Sequence, residues 1–181
     1  RFPKPRAGGS SPPGRTRNFA KWWVVKDNEF MGVALAEARQ AAVEGDVPIG
    51  AVLVLGDEVI AKAHNRRETD KDATAHAEVL VIREACRKLG RWRLSGATLY
   101  VTIEPCPMCA GALIMSRVDR LVYGSPDFRA GAVESIFNIV QHPALNHRLR
   151  VTAGIRQEEC AAEMQAFFRK RRRPAADKIT E

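Results

Sequence analysis

No apolar run in the sequence approaches the ~18 residues that a membrane-spanning helix needs, so no bilayer span is expected. Only four cysteines occur in 181 residues: Cys86, Cys106, Cys109 and Cys160. With so few, and with no secretory apolar segment, a disulfide scaffold is excluded and a reducing, cytoplasmic setting is expected. No internal repeat is visible. Acidic residues are missing from 1–24, which carry six Lys/Arg: Arg1, Lys4, Arg6, Arg15, Arg17 and Lys21.

The formal net charge is +8, and its distribution says more than its size. "RKRRR", Arg169 to Arg173, holds five more basic residues. Setting those eleven aside from the 29 basic residues leaves 18, against 21 acidic. The body is slightly acidic and the two ends carry the basic excess. That pattern suits a polyanion gripped by the ends, or simply solvated charge runs.

The chain is long enough for one domain that buries a sizeable core. Residues 1–24, rich in Pro, Gly, Ser and Arg, read as a disordered basic extension: a targeting peptide, an RNA arm, or residues foreign to the domain. Residues 174–181 read as a flexible tail, and 25–173 as the folded domain. Within it, 27–45 has an Asp cap, helix formers and a closing Gly. Residues 47–65 form two β-branched runs around Gly56-Asp57, a hairpin signal. A helix is expected over 75–90, a strand over 97–104, a short helix over 108–117, a strand over 118–124, a possible fifth strand over 148–154, and a last helix over 155–173. Strands alternating with helices after an opening hairpin indicate an α/β fold with a mixed sheet.

"EPCPMCAGA", Glu104 to Ala112, concentrates chemistry. Proline favours the first turn of a helix, and cysteines three apart in that turn share a face. The unpaired N–H groups there stabilise thiolates. On its own, a Cys-x-x-Cys fits a metal site or a redox dithiol equally well. "TAHAEV", Thr74 to Val79, supplies what two sulfurs lack. His76, Cys106 and Cys109 are three soft ligands that leave a fourth tetrahedral position for water, the arrangement of a catalytic zinc. Cys86 lies on an apolar stripe with Ile82 and Leu89, and Cys160 near the start of the last helix, so both read as buried packing residues. Glu78 stands two positions from His76 and cannot share its helical face. At a helix tip both can still approach one ion, Glu78 beside the bound water. In a first helical turn a Glu is otherwise only favourable to the dipole.

His-x-Glu followed by Pro-Cys-x-x-Cys is the signature of the zinc deaminases. Together with "VPIGAVLV", "HNR", "ATLYVTIEPCPMCAGALIMSRVDRLVYG", "DFRAGA", "HPALNHRLRVT" and "CAAEMQAFFRKRR", it makes the chain resemble the bacterial tRNA adenosine deaminases from about Asn28 to Arg173. The resemblance implies a three-layer α/β/α fold of the cytidine-deaminase type with a five-stranded mixed sheet. It implies a homodimer that converts adenosine at the wobble position (34) of a tRNA anticodon stem-loop, an arginine tRNA, to inosine. Each subunit would hold one Zn2+ with a bound water or hydroxide on His76, Cys106 and Cys109, with Glu78 shuttling protons. Asn65 would hydrogen-bond the purine ring and the Ala77 backbone N–H would hold the exocyclic position. Asp127 would face the ribose of a flanking nucleotide, and Arg129 keeps a charge that is often Lys in the family. Phe168, Arg169, Arg171 and Arg172 are candidate RNA contacts, aromatics to stack and cations for phosphates, although Phe167 and Phe168 also suit a helix core. Competing readings are a deaminase of free bases such as guanine, a non-catalytic RNA-binding partner, and a structural zinc module.

Overall fold

A computed structural model describes residues 19–172. The expectations for residues 1–18 and 174–181 lie outside the described residues. The elements run α1 (Phe19–Glu44), β1 (Gly50–Leu55), β2 (Glu58–His64), α2 (Arg67–Asp70), α3 (Ala77–Leu89), β3 (Ala97–Ile103), α4 (Pro107–Met115), β4 (Arg120–Ser125), β5 (Arg150–Thr152) and α5 (Gln157–Arg171). The five strands form one mixed sheet in the order β2-β1-β3-β4-β5. β1 runs antiparallel to β2 and β3, while β3, β4 and β5 are parallel.

The period-2 alternation of the strands builds two cores. Ala51, Leu53, Leu99, Val101, Leu121 and Tyr123 face one side, where α3 and α4 add Val81, Ile82, Ala85, Leu113 and Ile114. Val52, Val54, Tyr100 and Val122 face the other, against Phe30, Met31, Ala34 and Leu35 of α1 and Cys160 of α5. The result is the three-layer α/β/α arrangement with a five-stranded mixed sheet.

Helix α1 differs from the expected element. It begins at Phe19, inside the segment expected to be disordered, and Asp27 is an interior helix residue and not its cap. Asp27 is buried because it has a tertiary task. Its carboxylate accepts hydrogen bonds from the Tyr100 hydroxyl (2.8 Å) and from Arg120 Nη1 and Nη2 (2.8 and 2.7 Å). This pins α1 to β3 and β4.

Helix α5 lies close to β4 because position 124 is glycine. A Cβ there would run into the Cys160 side chain and stand 2.7 Å from the Thr102 carbonyl oxygen. Cys160 is accordingly buried, and burial pushes its thiol up to about 12. Cys86 sits at the core margin, half-buried, with Sγ 3.7 Å from the Trp92 carbonyl. Both cysteines therefore do packing work. Among the described residues, no helix is long and apolar enough to cross a membrane.

Candidate active site

Two helix N-termini meet at the C-terminal end of β3. His76 is the N-cap residue of α3, with extended backbone (φ −77°, ψ 147°). Cys106 is the N-cap of α4, Pro107 opens the helix, and Cys109 follows one turn in. Because His76 lies outside its helix and Glu78 within the first turn, the two need not share a helical face. His76 Nδ1 stands 3.6 Å from Cys106 Sγ and 3.5 Å from Cys109 Sγ. Nδ1 is thus the nitrogen that faces the sulfurs.

These three side chains could hold a metal ion, one ligand atom from each lying within 4.8 Å of the others. The spacing fits zinc. Bonds of about 2.3 Å to sulfur and 2.0–2.1 Å to nitrogen at tetrahedral angles place nitrogen and sulfur roughly 3.6 Å apart. The donor chemistry fits as well. The Cys106 thiol is held down at about 4 by the hydrogen bond from Cys109 and that from His76, against the effect of burial. The Cys109 thiol, which donates to Cys106, is pushed far up. The His76 imidazole is raised by its bond to Cys106. The three share protons that a cation would replace.

Glu78 is 3% exposed. Burial pushes its carboxyl up to about 7, and it interacts with the Cys109 thiol and the His76 and Cys106 charges. A carboxyl poised near neutrality beside a ligand cluster is suited to take and return a proton.

Asn65 follows β2 and is buried. Its Nδ2 donates to Asp46 Oδ1 at 3.2 Å, and that carboxylate also accepts the backbone N–H groups of Glu68 and Thr69. Ala77 is fully buried at the first position of α3, where a backbone N–H has no acceptor within its own helix.

A groove of about 710 Å³ runs between the loop after β4 and the last turns of α5. Asp127, Phe128 and Arg129 form one wall, and Phe168, Arg169 and Arg172 the other. Asp127 Oδ1 accepts the Arg129 backbone N–H at 2.9 Å, and Phe128 is 80% exposed. The groove thus gathers Asp127, Arg129, Phe168, Arg169 and Arg172 on one surface. Arg171 is placed elsewhere. Its Nη2 donates to the Gly45 carbonyl at 2.6 Å and its guanidinium stacks over Phe167, 4.6 Å from the ring centre. Phe167 is buried in the core, whereas Phe168 is half-buried at the groove.

Sequence reasoning missed two acidic residues that hold these parts in place. Asp46 grips Asn65, and Glu104 holds the loop that carries Asp127. Glu104 lies inside "EPCPMC", but its partners are 23 to 31 positions away, beyond the reach of any spacing rule.

Residues 25–172 match the model of the MafB19-like deaminases. The chain is 51% identical over 150 residues to a tRNA-specific adenosine deaminase of Bacillus subtilis, covering 83% of this chain and 93% of that protein. A structure from studies of A-to-I editing by tRNA:A34 deaminases at the wobble position of transfer RNA superposes with a TM-score of 0.72. It shares 50% identity and covers 75% of this chain and 98% of its own. A guanine deaminase of Nitrosomonas europaea is more distant, with a TM-score of 0.63 and 25% identity over 80% of this chain and 91% of its own. With half of the aligned positions shared along nearly the whole of the Bacillus protein, this chain belongs to the tRNA-specific adenosine deaminases, a family of hydrolytic enzymes.

Proposed function

We propose that the chain deaminates adenosine to inosine at the wobble position of a tRNA anticodon, an arginine tRNA, using zinc held by His76 Nδ1, Cys106 and Cys109. The observation that carries this reading is the nitrogen–sulfur triangle of 3.5 and 3.6 Å with the buried Glu78 carboxyl against it. When bound, zinc supplies a Lewis acid that makes a water acidic enough to serve as nucleophile near neutral pH.

The chain's own groups do the rest. Glu78 takes the proton of the attacking water and delivers it to N1 of adenine as C6 becomes tetrahedral. It then takes the remaining proton from the C6 hydroxyl and passes it to the amino group, so that the C–N bond breaks, ammonia leaves and the carbonyl of inosine forms. Asn65, its amide nitrogen anchored on Asp46, hydrogen-bonds the purine ring. The Ala77 N–H holds the exocyclic position. Such a pocket needs the base splayed out of its loop. Asp127 and Arg129 then meet the flanking nucleotide, while Phe168, Arg169 and Arg172 grip the strand across the groove. Residues 25–173 form the catalytic domain. It acts in the cytoplasm as a homodimer, and the apolar α4 surface with Met115 70% exposed supports that assembly.

A deaminase of free guanine is the second reading, favoured by the shared fold of the Nitrosomonas protein. A free base has no use for the charged groove beyond the pocket. The deciding experiment offers an arginine-tRNA anticodon stem-loop with adenosine at the wobble position, beside free adenosine, guanine and cytidine. Inosine from the stem-loop alone is the expected result. Ammonia from a free base alone would overturn the substrate assignment and leave the hydrolytic chemistry.

A further inference from the structure

Glu104 is a buried carboxylate that the chemistry does not use. It follows β3 directly, two residues before Cys106. Its Oε1 accepts the backbone N–H groups of Val133 (3.0 Å), Glu134 (2.8 Å) and Ser135 (2.9 Å). Its Oε2 accepts the Asp127 N–H at 3.0 Å and the Ser135 hydroxyl. All of these partners are neutral, and all belong to the loop after β4.

The fit is tight. A Cβ at Gly131 would stand 2.5 Å from Glu104 Oε2 and 2.5 Å from the Asp127 carbonyl oxygen. That carbonyl in turn accepts the Gly131 N–H at 2.9 Å, and the Ala132 N–H bonds the Pro105 carbonyl at 2.8 Å. The loop is therefore folded around one charged group that arises from the same turn as the cysteine ligands.

We propose that Glu104 is a positioning residue that presets the RNA groove: its carboxylate fixes Asp127, and with it Phe128 and Arg129, at the wall facing α5. This rests on the reading that the groove grips RNA. Two sheet strands are joined by it, so the pocket and the groove are held in one register. The charge matters because every partner is a donor. In Glu104→Gln the amide oxygen can keep the three N–H groups of 133–135. The amide nitrogen then faces the Asp127 N–H, donor against donor. The Ser135 hydroxyl can turn to accept, but the backbone N–H cannot. The loop is thus released at its Asp127 end, the end that lines the groove.

The test is saturation kinetics on the anticodon stem-loop. Glu104→Gln should raise KM roughly tenfold or more, the effect of losing charge-assisted bonds at the wall, with kcat at saturation within about threefold of wild type. Asp127→Ala keeps the backbone N–H that Glu104 holds and should raise KM too, and Glu104→Gln added to it should raise KM less than it does in wild type, since the part of its effect that passes through the Asp127 side chain is already lost. Ser135→Ala keeps the charge and removes only the hydroxyl bond. It should raise KM less than Glu104→Gln, and it carries the comparison with Asp127→Ala if the Gln variant does not fold. An unchanged KM in the Gln variant, a loss confined to kcat, or fully multiplicative KM effects in the double variant would overturn the proposal. Wild-type protein inactive on the stem-loop would instead overturn the RNA reading itself, so the two failures are distinct.

Discussion

Replacing Glu78 by Gln keeps the size and shape of the side chain and removes its ability to take a proton. At 3% exposure, Glu78 sits where bulk water cannot stand in for it. Positioned acid–base groups contribute about 10²–10⁴-fold, and the sealed site places this one toward the upper part of that range. A fall of about 10³–10⁴ in kcat corresponds to roughly 4–5.4 kcal/mol of transition-state stabilisation. Glu78→Asp keeps the proton but draws the carboxylate back by one methylene. A displacement of about 1 Å costs on the order of 10²-fold, so this variant should fall between the two. The assay is turnover of a saturating anticodon stem-loop, followed by nuclease digestion and quantitation of inosine. The zinc-to-protein ratio and the stem-loop Kd are measured on the same preparations and should match wild type. A Gln variant with its metal retained and kcat within tenfold of wild type would refute the proton-transfer role.

Asp27→Ala leaves Arg120 and the Tyr100 hydroxyl without their shared acceptor. Breaking a buried pair of this kind costs about 3–5 kcal/mol, or about 6–20 °C in Tm for a chain of this size, and a Tm within about 2 °C of wild type would show the network to be idle. Glu104 lies below its ordinary 4.5, at about 2, so its contribution is present above pH 4.5 and is lost as pH falls toward 2. By linkage that is on the order of 3 kcal/mol; Glu104→Gln should therefore show a shallower loss of stability across that window, and parallel acid-unfolding curves would contradict it. Replacing Arg169 and Arg172 together by Ala should lower the salt slope of stem-loop binding by about two, whereas Arg171→Ala should leave the slope unchanged and lower Tm instead. Equal slopes for these two variants and wild type would remove the groove from RNA binding.

The sheet was legible because its strands alternate, α3 because its apolar positions recur every three to four residues, and α4 because prolines mark its start. The metal-ligand candidates were legible for a related reason: His-x-Glu and Cys-x-x-Cys are local patterns that act locally, at two helix tips. What escaped was set by distance along the chain. An acid before an apolar run usually marks a helix cap, yet the partners of Asp27, Tyr100 and Arg120, lie 73 and 93 positions away. The basic run 169–173 could be recognised as charge but not resolved into faces. Arg169 and Arg172 line the groove, while Arg171, between them, is turned to Gly45 and Phe167. Residues 67–70 show no periodicity, and the short α2 forms there because Asp46 accepts its first N–H groups.

The docking of α5 through Cys160 against Gly124 separates two kinds of inheritance. Its first turns are tied to the sheet, and its last turns, 168–172, form the groove wall. Along the chain, the candidate metal cluster is complete by Cys109, whereas the groove proposed to hold RNA is assembled from 127 onward. Substitution or exchange of the closing turns can therefore redirect what is held without disturbing how it is cleaved. A scaffold partitioned in this way lets one end of the gene vary while the other stays fixed.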